Sequence, residues 1–170
     1  MVSLTWSTSH AVFVTEIDDE HKEIFAAVAN LQAALGTGLL SEVRNLTLRL
    51  ISCIVGHFAH EERLMRAARY GSIRWHKQRH EAARRRVAQF ALRIEQGDTR
   101  AAGELVGYLS SWLPEHAGLA DRMMGAFLRN HQRGMFKVTF RAGTKPLDSC
   151  DWVDIRGDAL DPQALEKGSS

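Results

Sequence analysis

The chain is poor in the residues that staple or break a fold. Two cysteines, Cys53 and Cys150, stand among 170 residues, too few for a disulfide framework. Cys53 lies in the run Leu50-Ile51-Ser52-Cys53-Ile54-Val55, where a small buried thiol is expected, and a reducing cytoplasm is the simplest setting. Prolines number three, Pro114, Pro146 and Pro162, so long stretches are free to run as helix. No apolar run approaches the roughly 18 residues that a spanning helix needs, so no membrane span is expected. The start, Met1-Val2-Ser3-Leu4-Thr5-Trp6, has no basic region followed by an apolar core, so no signal peptide is expected either. An excess of one charge is also missing. The 22 Lys and Arg face 20 Asp and Glu, for a net charge of +2, which argues against a nucleic-acid partner. The one dense basic run, Arg84-Arg85-Arg86, falls inside a helical pattern and reads as a solvated face.

What remains is a hydrophobic fraction of 45%, enough to bury the core of one domain. Its spacing is helical. Ile24, Phe25, Val28, Leu31 and Leu35 form one stripe over 18–35, closed by Gly36. A second helix is predicted over 41–69 through Val43, Leu46, Leu50, Ile54, Phe58 and Met65. Tyr70-Gly71-Ser72 supplies a stop and a start for a third over 73–95. Gly97-Asp98-Thr99 breaks the chain again, with Asp98 or Thr99 capping a fourth helix that runs to about Asn130 and ends at Gly134. The fold class is therefore all-α, an antiparallel up-and-down four-helix bundle with short connections. Residues 1–17 lack a helical stripe and read as an arm packed on the bundle. Residues 1–133 are expected to form the bundle with its arm, and 134–170 a C-terminal extension. In that extension Phe136, Val138 and Phe140 alternate with period two, and Trp152-Val153-Asp154-Ile155 offers a second strand. Such a hairpin is marginal alone and must lean on the bundle or on another protein.

Eight histidines are the unusual feature. His57 and Glu61 are four residues apart on the second helix, and His76 and His80 four apart on the third. Four residues advance a helix by about 400°, so each pair projects from one face. His21 lies on the inner stripe of the first helix, and His116 and Asp121 on the fourth, so every helix carries a candidate metal ligand. Five residues rotate an ideal helix by about 140° from a common face, so His116 and Asp121 call for a widened turn. Pro114, just before them, favours a kink. Imidazole with carboxylate suits iron, zinc or manganese between the helices of a bundle. Two bridging carboxylates, Glu61 and Asp121, five imidazoles and a bridging oxide or hydroxide fill all but one position around two six-coordinate metals. One vacancy in an apolar setting suits end-on binding of a small molecule rather than turnover. His10, His60 and His131 fall outside the constellation, and Glu62 has a poorer helical phase than Glu61.

These residues resemble the hemerythrin family, in its bacterial branch. The resemblance covers roughly residues 6–131. It rests on Trp6, Ile17-Asp18-Asp19-Glu20-His21-Lys22, His57-Phe58-Ala59-His60-Glu61-Glu62-Arg63-Leu64-Met65, Tyr70, His76-Lys77-Gln78-Arg79-His80, and Trp112-Leu113 leading to His116 and Asp121. It implies two iron ions, oxo- or hydroxo-bridged, with His76, His80 and His116 on one and His21 and His57 on the other. Glu61 and Asp121 would bridge, and dioxygen would bind reversibly on the His21/His57 side. Phe25, Trp112 and Ala117 are then expected around the oxygen pocket. Three departures stand out. Glu20 occupies a position where the family usually has Gln, expected to be a surface difference. Ala117-Gly118 follow His116 where a large aliphatic residue is usual, which implies a roomier, wetter pocket. The extension beyond 133 has no counterpart in the pattern. The leading expectation is an oxygen carrier, store or sensor without turnover; the alternative is a di-iron oxidase, peroxidase or nitric-oxide-handling enzyme. A protein partner for the extension is a further possibility.

Overall fold

The computed structural model describes residues 4–134, with side chains as far as His131. Four rods make the bundle: α1 (Thr15–Leu35), α2 (Leu40–Ala67), α3 (Ile73–Glu95), and a fourth rod. That fourth rod is α4 (Ala101–His116), a π-helical turn (Ala117–Asp121) and α5 (Arg122–Gly134) in series. Each of α1 and α3 packs on both α2 and α4, so the rods form a square with α1 and α3 on one diagonal. Among the described residues there is no strand, and no helix is long and apolar enough to cross a membrane. The expected hairpin falls on residues outside those described.

The stops are made differently from the simplest reading. At the end of α2 the left-handed residue is Arg69 (φ 54°) rather than Gly71, with Tyr70 N–H reaching back to the Met65 carbonyl at 2.9 Å. At the end of α3 Gly97 takes that role (φ 84°), and Asp98 N–H bonds the Arg93 carbonyl at 2.9 Å. Asp98 accepts the Arg100 N–H at 2.9 Å, but the capping position of α4 falls to Arg100, without a side-chain cap, rather than to Asp98 or Thr99.

Inside the square the side chains are layered along the axis. One apolar cluster holds Val28, Leu31, Leu50, Ile54, Val87, Phe90, Leu105 and Leu109. A smaller one at the opposite end holds Val12, Ile17, Met65, Tyr70, Met124 and Leu128. Between them lies a layer of buried imidazoles and carboxylates. The apolar layers stabilise the rods by desolvation, at about 25 cal/mol per Å². The polar layer does not. The arm closes the second end. Asp18 accepts the N–H groups of Val12 (2.7 Å) and Phe13 (2.9 Å), which holds the chain as it enters α1 and supports Phe13 in the left-handed region (φ 59°). Arg129 donates to the Val12 carbonyl from α5. The approach is so close that a Cβ on Gly125 would lie 2.5 Å from that carbonyl oxygen, so only glycine fits.

Candidate metal centre

Each rod delivers its part of the polar layer by helical phase. In α2 the four-residue step puts His57 and Glu61 one above the other, and in α3 the same step does so for His76 and His80. In the fourth rod the π turn Ala117–Asp121 takes in one extra residue. Residues five apart then stand as residues four apart do on a regular helix. His116 Nε2 and Asp121 Oδ1 come within 3.1 Å as a result. Pro114, inside α4, has no N–H to give the preceding turn and loosens the helix at its entry to the bulge.

All seven residues meet. His76 Nε2 lies 3.1 Å from Asp121 Oδ1 and 3.4 Å from Glu61 Oε2, His80 Nε2 lies 3.1 Å from Glu61 Oε2, and His21 Nε2 lies 3.2 Å from Asp121 Oδ2. His57 Nε2 is 3.7 Å from Glu61 Oε2. Their donor atoms fall into two overlapping groups, each within 4.8 Å. One is Glu61, His76, His80, His116 and Asp121; the other is His21, His57, Glu61 and Asp121. The two carboxylates belong to both. None of the seven is more than 4% exposed.

The donor set passes a test for holding cations. His80 Nε2 and His116 Nε2 face one another at 3.1 Å. Two donors at right angles, each about 2.1 Å from one ion, stand about 3.0 Å apart. Both oxygens of Glu61, both of Asp121, both nitrogens of His76 and Nδ1 of His21 are buried without a hydrogen bond among the described residues. Unpaired buried polar atoms cost several kcal/mol together, and a pair of cations at the shared centre relieves that cost. Burial opposes ionisation of both Glu61 and Asp121, and the charge of Asp121 opposes that of Glu61 as well. The surrounding histidines prevail and hold both carboxyls below the usual range. Burial alone would depress His76; Asp121 and Glu61 override it and push His76 up to about 9. His116 goes the other way, lowered chiefly by burial.

A second ring of groups sets the imidazoles, and here the sequence reading is corrected. Glu20 is not a surface difference. It is 9% exposed and accepts from His57 Nδ1 at 2.7 Å and from His60 Nδ1 at 2.5 Å. Glu62, passed over for its phase, accepts from His80 Nδ1 at 3.2 Å. Arg84 donates to the same Glu62 oxygen at 3.0 Å and lies over the Phe58 ring, so the basic run is only partly a solvated face. Burial opposes the charge on Glu62, but His80 and Arg84 outweigh it and bring its carboxyl down to about 2. A carboxylate on Nδ1 fixes which ring nitrogen carries the proton and frees Nε2 for a metal. The sequence signal for both was present: Glu20 precedes His21 and Glu62 follows Glu61, each one step off the inner phase. His60 stays outside the donor set, as expected. Aromatic rings wall the layer: Phe58 stacks on His80 (4.1 Å, 11°) and Trp112 on His116 (4.2 Å, 17°). Phe25 and Ala117 are buried beside the layer, while Trp112 is half-buried.

A square of four rods with a shared-carboxylate histidine cluster suited to metal in its interior defines a metal-binding bundle protein. The comparisons name the family. Residues 12–128 match the family model described as the hemerythrin HHE cation binding domain. The chain belongs to the hemerythrin family. It is 30% identical over 142 residues to the bacteriohemerythrin of Stenotrophomonas maltophilia, covering 79% of this chain and 92% of the relative. It is 32% identical over 116 residues to myohemerythrin-1 of Phascolopsis gouldii, covering 68% and 87%. A crystal structure of wild-type hemerythrin superimposes with a TM-score of 0.71 at 27% identity, over 75% of this chain and 98% of that one.

Proposed function

We propose that His21, His57, Glu61, His76, His80, His116 and Asp121 hold two iron ions, and that the protein binds dioxygen reversibly there as a carrier, store or sensor. The observation that carries this is the pair of carboxylates shared by two groups of imidazoles, with their oxygens buried, without a hydrogen bond, and faced by imidazole nitrogens. His76, His80 and His116 would hold one ion and His21 and His57 the other, with Glu61 and Asp121 available to both. When bound, a ferrous pair supplies the electrons that dioxygen takes up on binding and returns on release. The side chains do the rest. Glu20 and Glu62 hold His57 and His80 with Nε2 turned inward. Phe58 and Trp112 lie flat on the imidazoles and exclude water from that side, and Phe25 and Ala117 border the space for the ligand, which the short Ala117 side chain leaves roomier. Such a space admits more water and exchangeable protons than one sealed by a large aliphatic side chain, which shortens the life of the oxygen-bound form. Residues 1–133 act as the binding unit in the cytoplasm, and residues 134–170 as an appended segment.

The test is anaerobic loading with ferrous iron, metal analysis, and an optical spectrum on admitting and then removing oxygen. Two irons per chain and a spectrum that appears and reverses are expected. A single ion, or donors that bind metal independently, would refute the site. Immediate irreversible oxidation with consumption of a substrate would replace the carrier by an oxidase or peroxidase on the same residues.

A further inference from the structure

The arm crosses the bundle at the level of the polar layer, and the residue it sets there is a histidine outside the donor set. Leu4, with Trp6 beside it, packs into the apolar cluster at one end, and Val12 into the cluster at the other. The residues between them pass the layer that separates those clusters. They do so along the seam between α1 and the fourth rod. The short 3-10 turn Thr8–His10 packs on the π turn Ala117–Asp121, and the His10 ring lies 4.9 Å from the ring of Phe25 on α1. His21 of α1 and Asp121 of the fourth rod meet across the same seam at 3.2 Å. His10 therefore stands at the mouth of the space bordered by Phe25 and Ala117, on the side of His21. It is half-buried, so its outer edge meets solvent.

A hydrogen bond fixes its form. The Ser7 N–H donates to His10 Nδ1 at 3.0 Å, which leaves Nδ1 without a proton and puts the ring hydrogen on Nε2. Burial, and then the charge of His21, lower the basicity of the ring, in keeping with a neutral imidazole. Nε2 has no hydrogen bond among the described residues, so its N–H is free to donate. A plain aromatic ring would plug the seam and pack on Phe25 equally well. What the imidazole adds is a donor beside a small-ligand space, and such a donor favours a ligand that carries or acquires negative charge.

We propose that His10 guards the entry to this space and gives its Nε2–H to a small anionic ligand held there. The proposal rests on the reading that the ligand binds on the His21/His57 side, and it adds what that side selects for.

Azide is the probe, titrated optically into the iron-loaded ferric protein. His10→Phe keeps a ring over Phe25 and removes the donor; His10→Gln keeps an N–H near the same place. His10→Phe is expected to weaken azide about tenfold or more, the fold-change of one hydrogen bond to a charged acceptor, and His10→Gln to recover most of it. Iron content and helical circular dichroism should match the parent in both. Nuclear magnetic resonance of the parent with isotope-labelled histidine needs no variant, and decides the matter even where a variant loses iron. His10 should appear as the Nε2–H tautomer, and its Nε2 resonance should move on adding azide. An Nδ1–H tautomer, a resonance that azide leaves in place, unchanged azide affinity in His10→Phe, or equal weakening in both variants overturns the proposal while the centre and its ligand stand. A parent that holds iron and binds neither azide nor oxygen overturns it together with the reading beneath it.

Discussion

The two ends of the bundle are built from the same rods and owe their order to different causes. At the end around Leu31, Leu50, Val87 and Leu105 the interior is dry and apolar, and packing alone accounts for it. One layer along, seven ionisable side chains occupy the same positions of the same helices, and packing alone would argue against burying them. The lesson is a division of labour. The apolar end makes a fold that can tolerate the polar layer, and under the proposed function a bound metal would turn that layer from a burden into a brace.

The largest effect that separates the ends is therefore metal removal. Stripping the ions should lower stability by about 4 kcal/mol or more, as expected for a ligand well above its Kd, measured by chemical unfolding of both forms. The gap also has a pH signature. In the metal-free protein His76 is raised to about 9 from its ordinary 6.5, so its protonated form contributes stability fully below about 6.5. That contribution is lost as pH rises through 9. Loaded and metal-free proteins should thus diverge further between pH 6.5 and 9, and a gap constant over that range would contradict the layer's electrostatics. Next comes Leu105→Ala at the apolar end, which should cost about 2–5 kcal/mol by leaving a cavity while metal stoichiometry stays unchanged. If metal content fell with it, the two ends would not be separable. Gly125→Ala forces Val12 and the arm to move and should cost about 1–3 kcal/mol, read as a lower Tm. Smallest is Ala117→Ile, which adds bulk beside His116 and should slow decay of the oxygen-bound form several-fold. An unchanged decay rate would show that the pocket lies elsewhere.

Much of this was legible in the residues. The helix spans were within a few residues, because stripes such as Ile24-Val28-Leu31 bury one face of a rod and leave no other solution. The meeting of the seven side chains was legible because four-residue spacing is a geometric statement about a helix. Even the π turn announced itself, since His116 and Asp121 are five apart and no regular helix brings them together. What was not legible depended on neighbours distant in sequence. Glu20 reads as surface beside His21 until α2 brings His57 and His60 to it from some forty residues away. Gly125 is an unremarkable helical glycine until the arm arrives. Arg69 in the left-handed region could not be told from Gly71, which was available two residues later.

The extra residue in the fourth rod has a reach beyond its own turn. A helix carries its phase forward, so whatever is inserted at Ala117–Asp121 decides where every later side chain points. Were the bulge ironed out, α5 would arrive rotated by about 100°, with Met124 and Leu128 swung off the cluster they now fill. Loss of a carboxylate from the centre and loss of the closing apolar layer would come as one event. Lineages descending from this chain can repaint its surface freely, yet a single-codon deletion here has no mild outcome.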